Sequence, residues 1–495
     1  MQINNEILKD FIICHHKAYR KSKHQTGIVS DYQILYNQLR QKVKENFGRT
    51  ISKNQNLIRH DFYFDNIASK EGIALNLKFA NENIDLVLDG IEFTGKKNIT
   101  PIFITPFEKV TITDKLFVSL QGTFIHTEFN LQIENCKIIY GSNSRQTKFK
   151  FSSFTKSIKK LTGEMKKILS SLNAPVFFKN SHCQICEFQN NCLERLIERD
   201  DLSLLTALKP KEILQKNNRG IFSVKQLSYT FRPKKNLYRK KKFLPELKAL
   251  AIREGKTIIQ EIPKLKQVET EIYLDFEGLI DRRSNYLIGA ILKNNEEDAK
   301  YSFWANNEEQ QTGIFIELIH LLKPLNSFTI YHYGSYEIQA LKRISQKLTA
   351  EQQNFLKVMI DNSFNVLSIF SHNIFPPTYS NSLKEIARYL KFDWSEKDAS
   401  SLQSIIWRYN WEISSDKELK NKLIIYNLED CKALERIVEW VKDIEHQNIL
   451  NVKDVKNQYD YNFGNPNNMI MDYEIINKYF YFDYQRNRAL LIYYS

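Results

Sequence analysis

The sequence predicts a multidomain α/β protein, and three observations carry that reading. The chain has 495 residues, more than one hydrophobic core usually organises. From about 268 to 445 the pattern runs strand, hairpin, helix, strand, helix, the order of a layered α/β domain. Residues 1–197 mix helical and strand-like runs and close on a cysteine cluster, which sets them apart as a separate unit. Apolar residues make up 42% of the chain, enough for ordinary globular cores.

The N-terminal unit opens with a helical segment. Strand-like runs follow at Ile84–Leu88 and Pro101–Thr105, then a basic helix from about Lys156 to Leu172. In residues 198–229, Leu202 to Tyr229 reads as two small helices with Lys216–Ile221 as the turn. Residues 230–267 read as a basic linker, because Arg232–Lys242 is dense in lysine and arginine. Such a run is a solvated connector or an arm facing nucleic acid.

The second α/β unit, residues 268–445, is expected to start with a buried-type strand at Thr270–Phe276. Tyr286–Leu292 and Lys300–Trp304 are its hairpin partners. Gln311–Leu322 reads as a helix, Phe328–His332 as a strand and Asn421–Val441 as a strong amphipathic helix. Residues 446–495 form an aromatic-rich extension containing Tyr479–Arg486, expected to pack on the preceding domain.

Acids in this second unit carry the chemistry. Asp275 and Glu277, in Tyr273-Leu-Asp-Phe-Glu-Gly278, stand two apart in a strand and so share a face. Tyr426 and Asp430 stand four apart in a helix and share its face. Glu337 follows His332-Tyr-Gly-Ser-Tyr336. Two acids inside an apolar strand are costly to bury without a cation. Carboxylates are hard oxygen ligands suited to Mg²⁺ or Mn²⁺. Converging, Asp275, Glu277, Glu337 and Asp430 would hold two divalent ions while Tyr426 orients a water, the equipment of phosphodiester hydrolysis.

The order Asp-x-Glu, then an acid after a strand, then Tyr-x3-Asp resembles the DEDDy group of the ribonuclease H-like superfamily. Leu383-Lys-Glu-Ile-Ala-Arg-Tyr-Leu390, Ala399-Ser-Ser-Leu-Gln-Ser404 and Tyr426-Asn-Leu-Glu-Asp-Cys-Lys-Ala433 are similar to the YprB-type ribonuclease H-like domain. That domain is found fused behind RecB-like nuclease domains, and the chain resembles this RecB-like nuclease family over most of its length. The resemblance implies a restriction-endonuclease-like (RecB-like) domain over 1–197 and a helix-hairpin-helix-like segment over 198–229. It implies a ribonuclease H-like α/β domain over 268–445 with 3′→5′ exonuclease activity on DNA or RNA. One position departs from the pattern: the second motif usually ends in aspartate, and here it is Glu337, one methylene longer.

Six cysteines in so long a chain are too few for a secreted disulfide framework, and clustered ones suggest metal. Cys183, Cys186 and Cys192 give Cys-x2-Cys-x5-Cys, with Cys14 far upstream. This looks like the iron–sulfur RecB-like nucleases, in which one early and three late cysteines hold a [4Fe–4S] cluster. Four thiolates also suit Zn²⁺, with His182 or His15 as substitute ligands, and spacing does not separate the two. Cys136 and Cys431 read as small buried residues.

The same resemblance implies a PD-(D/E)XK site in the N-terminal domain. Asp85 or Asp89 fits the first acid, but the Glu/Asp-x-Lys expected near Ile104-Thr-Pro106 is missing. Glu108-Lys109 and Asp114-Lys115 have the wrong spacing, since adjacent strand residues face opposite sides. Gln121 has Ile125, not tyrosine, four residues on. The expectation is a domain that has lost catalysis and binds nucleic acid, the alternative being a site built from Asp89, Glu108 and Lys109. In the helix pair, Gly220-Ile221 supports a phosphate-gripping hairpin, while Ala207 stands where glycine is expected.

The formal charge of +14 points to a polyanionic partner, nucleic acid. No run of ~18 apolar residues exists to span a membrane. The N-terminus lacks a signal-peptide pattern, so the expected location is cytoplasmic. The functional expectation is therefore a metal-dependent nuclease. The alternatives are a non-catalytic nucleic-acid-binding scaffold, or a nuclease subunit acting only with a helicase or transposition partner.

Overall fold

The computed structural model describes residues 2–53, 57–58, 72–94, 97–231, 245–279, 281–294, 298–397, 399–444 and 450–451. The basic run Arg232–Lys242 and the aromatic run Tyr479–Arg486 lie outside the described residues.

The N-terminal half is built on an eight-stranded sheet. Its spine is an antiparallel meander of Gly72–Ala80, Ile84–Phe93 and Asn98–Thr105. The helix Ile112–Phe129 then carries the chain back, so that Asn135–Tyr140 runs parallel to Asn98–Thr105. Strand alternation gives the sheet two apolar faces. Ile84, Leu86 and Leu88 pack with Phe117, Val118 and Leu120 of that helix. Ile102, Ile104 and Ile139 face Val43, Phe47 and Ile51 of the helix Asp31–Lys53 on the other side.

Residues 210–228 are two short helices, Pro210–Asn217 and Val224–Ser228, joined through Gly220. Gly220 has φ +77°, in the left-handed region that glycine adopts without strain. Residues 230–267 are not all linker: Pro245–Glu254 is a helix and Ile258–Ile259 a short strand. Proline at the first helical position loses no intrahelical bond, and Leu247, Ala249, Leu250 and Ala251 are buried. The short strand pairs with Ile374–Phe375 and Leu450–Asn451, so this segment is stitched into the C-terminal half.

The C-terminal half is organised by a five-stranded sheet. Its order is Asp298–Trp304, Ser284–Lys293, Thr270–Leu279, Phe328–His332, Ser363–Asn365. The first three strands are antiparallel, and the last two run parallel to Thr270–Leu279. Along Thr270–Leu279 the side chains alternate. Ile272, Leu274 and Phe276 join the core under the helices Gln311–Leu322, Tyr336–Ile344 and Ala350–Asp361. Tyr273 and Leu279 face the opposite core, which is covered by Lys417–Lys442, Ser401–Ser414 and Leu383–Tyr389. Asp275 and Glu277 share that second face by period alone.

The helix Lys417–Lys442 is longer than the expected Asn421–Val441 by four residues at its start and one at its end. Asp416 caps it by accepting the Glu418 amide at 2.8 Å. Two ion-pair clamps hold it across the sheet. Lys442 meets Glu271 at 2.5 Å, and Lys293 reaches Glu435 at 2.9 Å and Glu439 at 2.5 Å. These clamps set the rotation of the helix that presents Tyr426 and Asp430. No helix among the described residues is long and apolar enough to cross a membrane.

Candidate active site

Asp275, Glu277 and Asp430 bring one ligand oxygen each to within 4.8 Å of one another. Two come from one face of a strand and one from the helix that lies on that face. Glu277 and Asp430 are 8% and 7% exposed, while Asp275 is the most open of the three. Burial, then the charges of Asp430, Glu277 and Glu337, drive the Asp275 carboxyl well above the carboxylate range. Burial and the Asp430 charge push Glu277 up to about 8. Burial raises Asp430 to about 6, against the opposing pull of Lys384 and of its hydrogen bonds from Trp394 and Tyr426.

Each acid is aimed by its own neutral donor. The Asn427 amide donates to Asp275 Oδ2 at 2.6 Å. The Ser404 hydroxyl donates to Glu277 Oε2 at 2.8 Å. The Trp394 indole donates to Asp430 Oδ1 at 2.7 Å. Tyr426 is buried, and its hydroxyl also hydrogen-bonds Asp430. The sequence reading missed Ser404, Asn427 and Trp394 as site residues. Ser404 and Asn427 lie inside the motifs that carry the ribonuclease H-like resemblance, Asn427 next to Tyr426, but nothing in the sequence tells which acid each reaches.

Glu337 opens the helix Tyr336–Ile344 and is 4% exposed. It does not join the three-oxygen group. Its Oε2 stands 3.5 Å from His332 Nδ1, and neither atom finds a hydrogen bond. A buried carboxylate oxygen left without a donor is what a cation-binding group looks like without its cation. The donor set is all oxygen and hard, which fits Mg²⁺ or Mn²⁺.

The N-terminal candidate site is assembled differently. Asp89 is buried, but Arg40 contacts its two oxygens at 2.7 and 2.5 Å. Lys44 adds a contact at 3.2 Å and the Ile104 amide another at 2.8 Å. Cations from the helix Asp31–Lys53 thus neutralise this acid. Ile102 and Ile104 fill the neighbouring strand. Glu108 pairs with Arg145 and accepts the Ser142 amide rather than turning to Asp89. Asp85 pairs with Lys78 at 3.1 Å. Asp114 is spent on the capping box with Thr111, and Gln121 donates to Asn5 at 3.0 Å.

Cys14, Cys183, Cys186 and Cys192 come close enough for their charges to act on one another across that set. Cys14 sits at the junction of the helices Asn5–Ile13 and His15–Ser22, and its sulfur accepts the amides of His16 and Lys17. Lys17 bonds Asp10 at 2.8 Å and Lys21 bonds Glu187 at 2.8 Å, tying this junction to the late cysteine segment. Among the described residues only the acid trio brings three ligand atoms within 4.8 Å, so the thiols are spaced more widely as a set. Cys136 and Cys431 are fully buried, as expected.

A family model described as the RNase_H superfamily matches residues 272–442. No curated protein matches the chain. The matched span holds the five-stranded sheet from its acid strand to the end of the helix bearing Asp430. Residues 272–442 are thus an RNase H-like domain, a fold of nuclease type.

Proposed function

We propose that the chain is a divalent-metal-dependent nuclease, a 3′→5′ exonuclease on DNA or RNA, with its chemistry in the RNase H-like domain. The observation that carries this reading is the approach of Asp275, Glu277 and Asp430 to within 4.8 Å, each steered by a separate neutral donor. Carboxyl groups crowded together with no ion pair among them, and raised in pKa by it, are kept for function rather than for stability. Asp275, Glu277 and Asp430, with Glu337 at the edge, would hold two divalent ions. Such ions generate a nucleophile from water and stabilise the charge on the attacking and leaving oxygens. Asn427, Ser404 and Trp394 keep the carboxylates aimed, as supporting hydrogen bonds do in metal sites. Tyr426 holds its hydroxyl at Asp430, where it orients the attacking water.

The N-terminal unit is read as a RecB-like domain that no longer cleaves. Arg40 and Lys44 occupy its acid, and the positions of the second acid and lysine are apolar. Its role is to hold the strand. Its four cysteines are assigned a [4Fe–4S] cluster. Zn²⁺ is the alternative. The turn at Gly220 would add a backbone phosphate contact.

One observation favours a second reading, a non-catalytic nucleic-acid-binding scaffold: Glu337 faces His332 rather than the acid trio. A nuclease assay separates the two. End-labelled single- and double-stranded DNA and RNA are incubated with Mg²⁺ or Mn²⁺. The nuclease loses terminal nucleotides, and Asp275→Ala or Asp430→Ala abolishes the loss. Clean protein that binds strands yet never shortens them, indistinguishably from these variants, ends the enzyme reading. Activity that emerges only on adding a helicase or transposition partner identifies a partner-dependent subunit.

A further inference from the structure

One cation beside the acid trio has no role so far. Lys384 lies in the first turn of the helix Leu383–Tyr389, which Ser382 caps. Its ammonium sits 4.7 Å from the ring centre of Tyr426 and 5.0 Å from that of Trp394. These are the two residues that hydrogen-bond Asp430. The ammonium donates to the Ala399 carbonyl, and the charges of Asp430 and Glu277 act on it. No contact-distance ion pair joins it to either acid.

Lys384 is held differently from Lys293, Lys442 and Lys248. Lys293 and Lys442 close onto carboxylates in the helix clamps, and the buried Lys248 is fixed by two side-chain oxygens, of Thr378 and Asn381. Lys384 rests instead on two aromatic faces, a hold that a flexible four-carbon stem gives up without leaving a buried donor stranded. Its side chain is partly exposed, and an ammonium has three donors, of which the protein engages one here.

Charge balance shows what the site lacks. Counting Glu337 with the trio, two divalent ions would only match the four carboxylates, leaving the phosphodiester and the charge that builds on it without a cation. Positioned cations serve that role in phosphoryl chemistry. We propose that Lys384 binds a non-bridging oxygen of the substrate phosphodiester, and that before substrate arrives it is the counter-charge of the acid cluster. This rests on the nuclease reading of the same site.

The test compares wild type, Lys384→Gln and Lys384→Arg, with Asp275→Ala as control. Mn²⁺ affinity is measured by calorimetry without substrate, and cleavage of an end-labelled oligonucleotide is followed in single turnover. In Lys384→Gln, Mn²⁺ binds at least as tightly as in wild type, because a competing positive charge is gone. Cleavage falls about 100-fold or more, as on loss of one charge-stabilising donor. Lys384→Arg keeps the charge and recovers part of the rate. Parallel loss of Mn²⁺ affinity and rate marks a packing role and overturns the proposal, as does an unchanged rate. Wild type that cleaves nothing, indistinguishable from Asp275→Ala, sinks the nuclease reading instead. The Mn²⁺ comparison then decides Lys384 by itself: tighter binding in Lys384→Gln keeps it as the counter-charge, and weaker binding removes it.

Discussion

Asn427 reaches Asp275 through space that Gly289 leaves open. The Asn427 amide nitrogen donates to Asp275 Oδ2 at 2.6 Å and to the Asp275 carbonyl at 3.2 Å. Gly289 pairs with Asp275 on the next strand, and a Cβ there would overlap Asn427 Oδ1. The strand and the helix meet closely only because one residue at their contact has no side chain. Gly289→Ala should therefore displace Asn427 and lower Mn²⁺ affinity about 10–100-fold, the usual loss of a supporting hydrogen bond. In an Asn427→Ala background the same change should do much less, since only the looser contact with Cys431 Sγ, 3.2 Å from the added Cβ, remains. Equal effects in both backgrounds would reject the coupling.

Trp394 offers a cleaner cut. Trp394→Phe removes the indole N–H from Asp430 while keeping most of the apolar body. Mn²⁺ affinity and cleavage should each fall about 10–100-fold. An affinity unchanged from wild type would show that Asp430 needs no such support.

Glu337 carries a buried oxygen without a donor. In metal-free protein Glu337→Gln removes that charge and should raise stability by on the order of 1 kcal/mol. The variant should then gain less than wild type from added Mn²⁺. Thermal melts in EDTA and in Mn²⁺ read both effects, and equal Mn²⁺ gains in the two proteins would exclude Glu337 from metal binding.

The acid cluster also makes stability depend on pH. Glu277 sits at about 8 and Asp430 at about 6, against ordinary values of 4.5 and 3.8. In that window the native metal-free protein holds more protons than the unfolded chain. Its stability is therefore full at the acid end and falls as pH rises toward 8. Mn²⁺ requires the ionised acids, so its affinity climbs over the same range. Melting temperatures in EDTA from pH 5 to 8 should decline, and less steeply in Glu277→Gln. A flat wild-type profile would contradict the cluster's electrostatics.

For the cysteines, anaerobic purification should give brown protein whose colour disappears in Cys186→Ser. Colourless wild type with stoichiometric zinc would replace the iron–sulfur assignment.

Much of this domain is legible from residue order. Gln311–Leu322 and Phe328–His332 fall where the pattern puts them, because each is an apolar run with clear ends. The common face of Asp275 and Glu277 follows from strand period, and that of Tyr426 and Asp430 from helix period. Pro245–Glu254 was hidden in the sequence by the basic run before it. Its evidence is burial against neighbouring elements, which a local pattern does not contain.

The sequence by itself determined which acids exist, which pairs share a face and which residues are too apolar to leave a core. These are local facts, settled by backbone period and side-chain chemistry. Tertiary structure decided the rest. It brought the two acid pairs together, gave each carboxylate its donor, turned Glu337 to His332 and set Arg40 and Lys44 against Asp89. Those choices depend on how a helix lies across a sheet, and many residues distant in the chain fix that angle jointly.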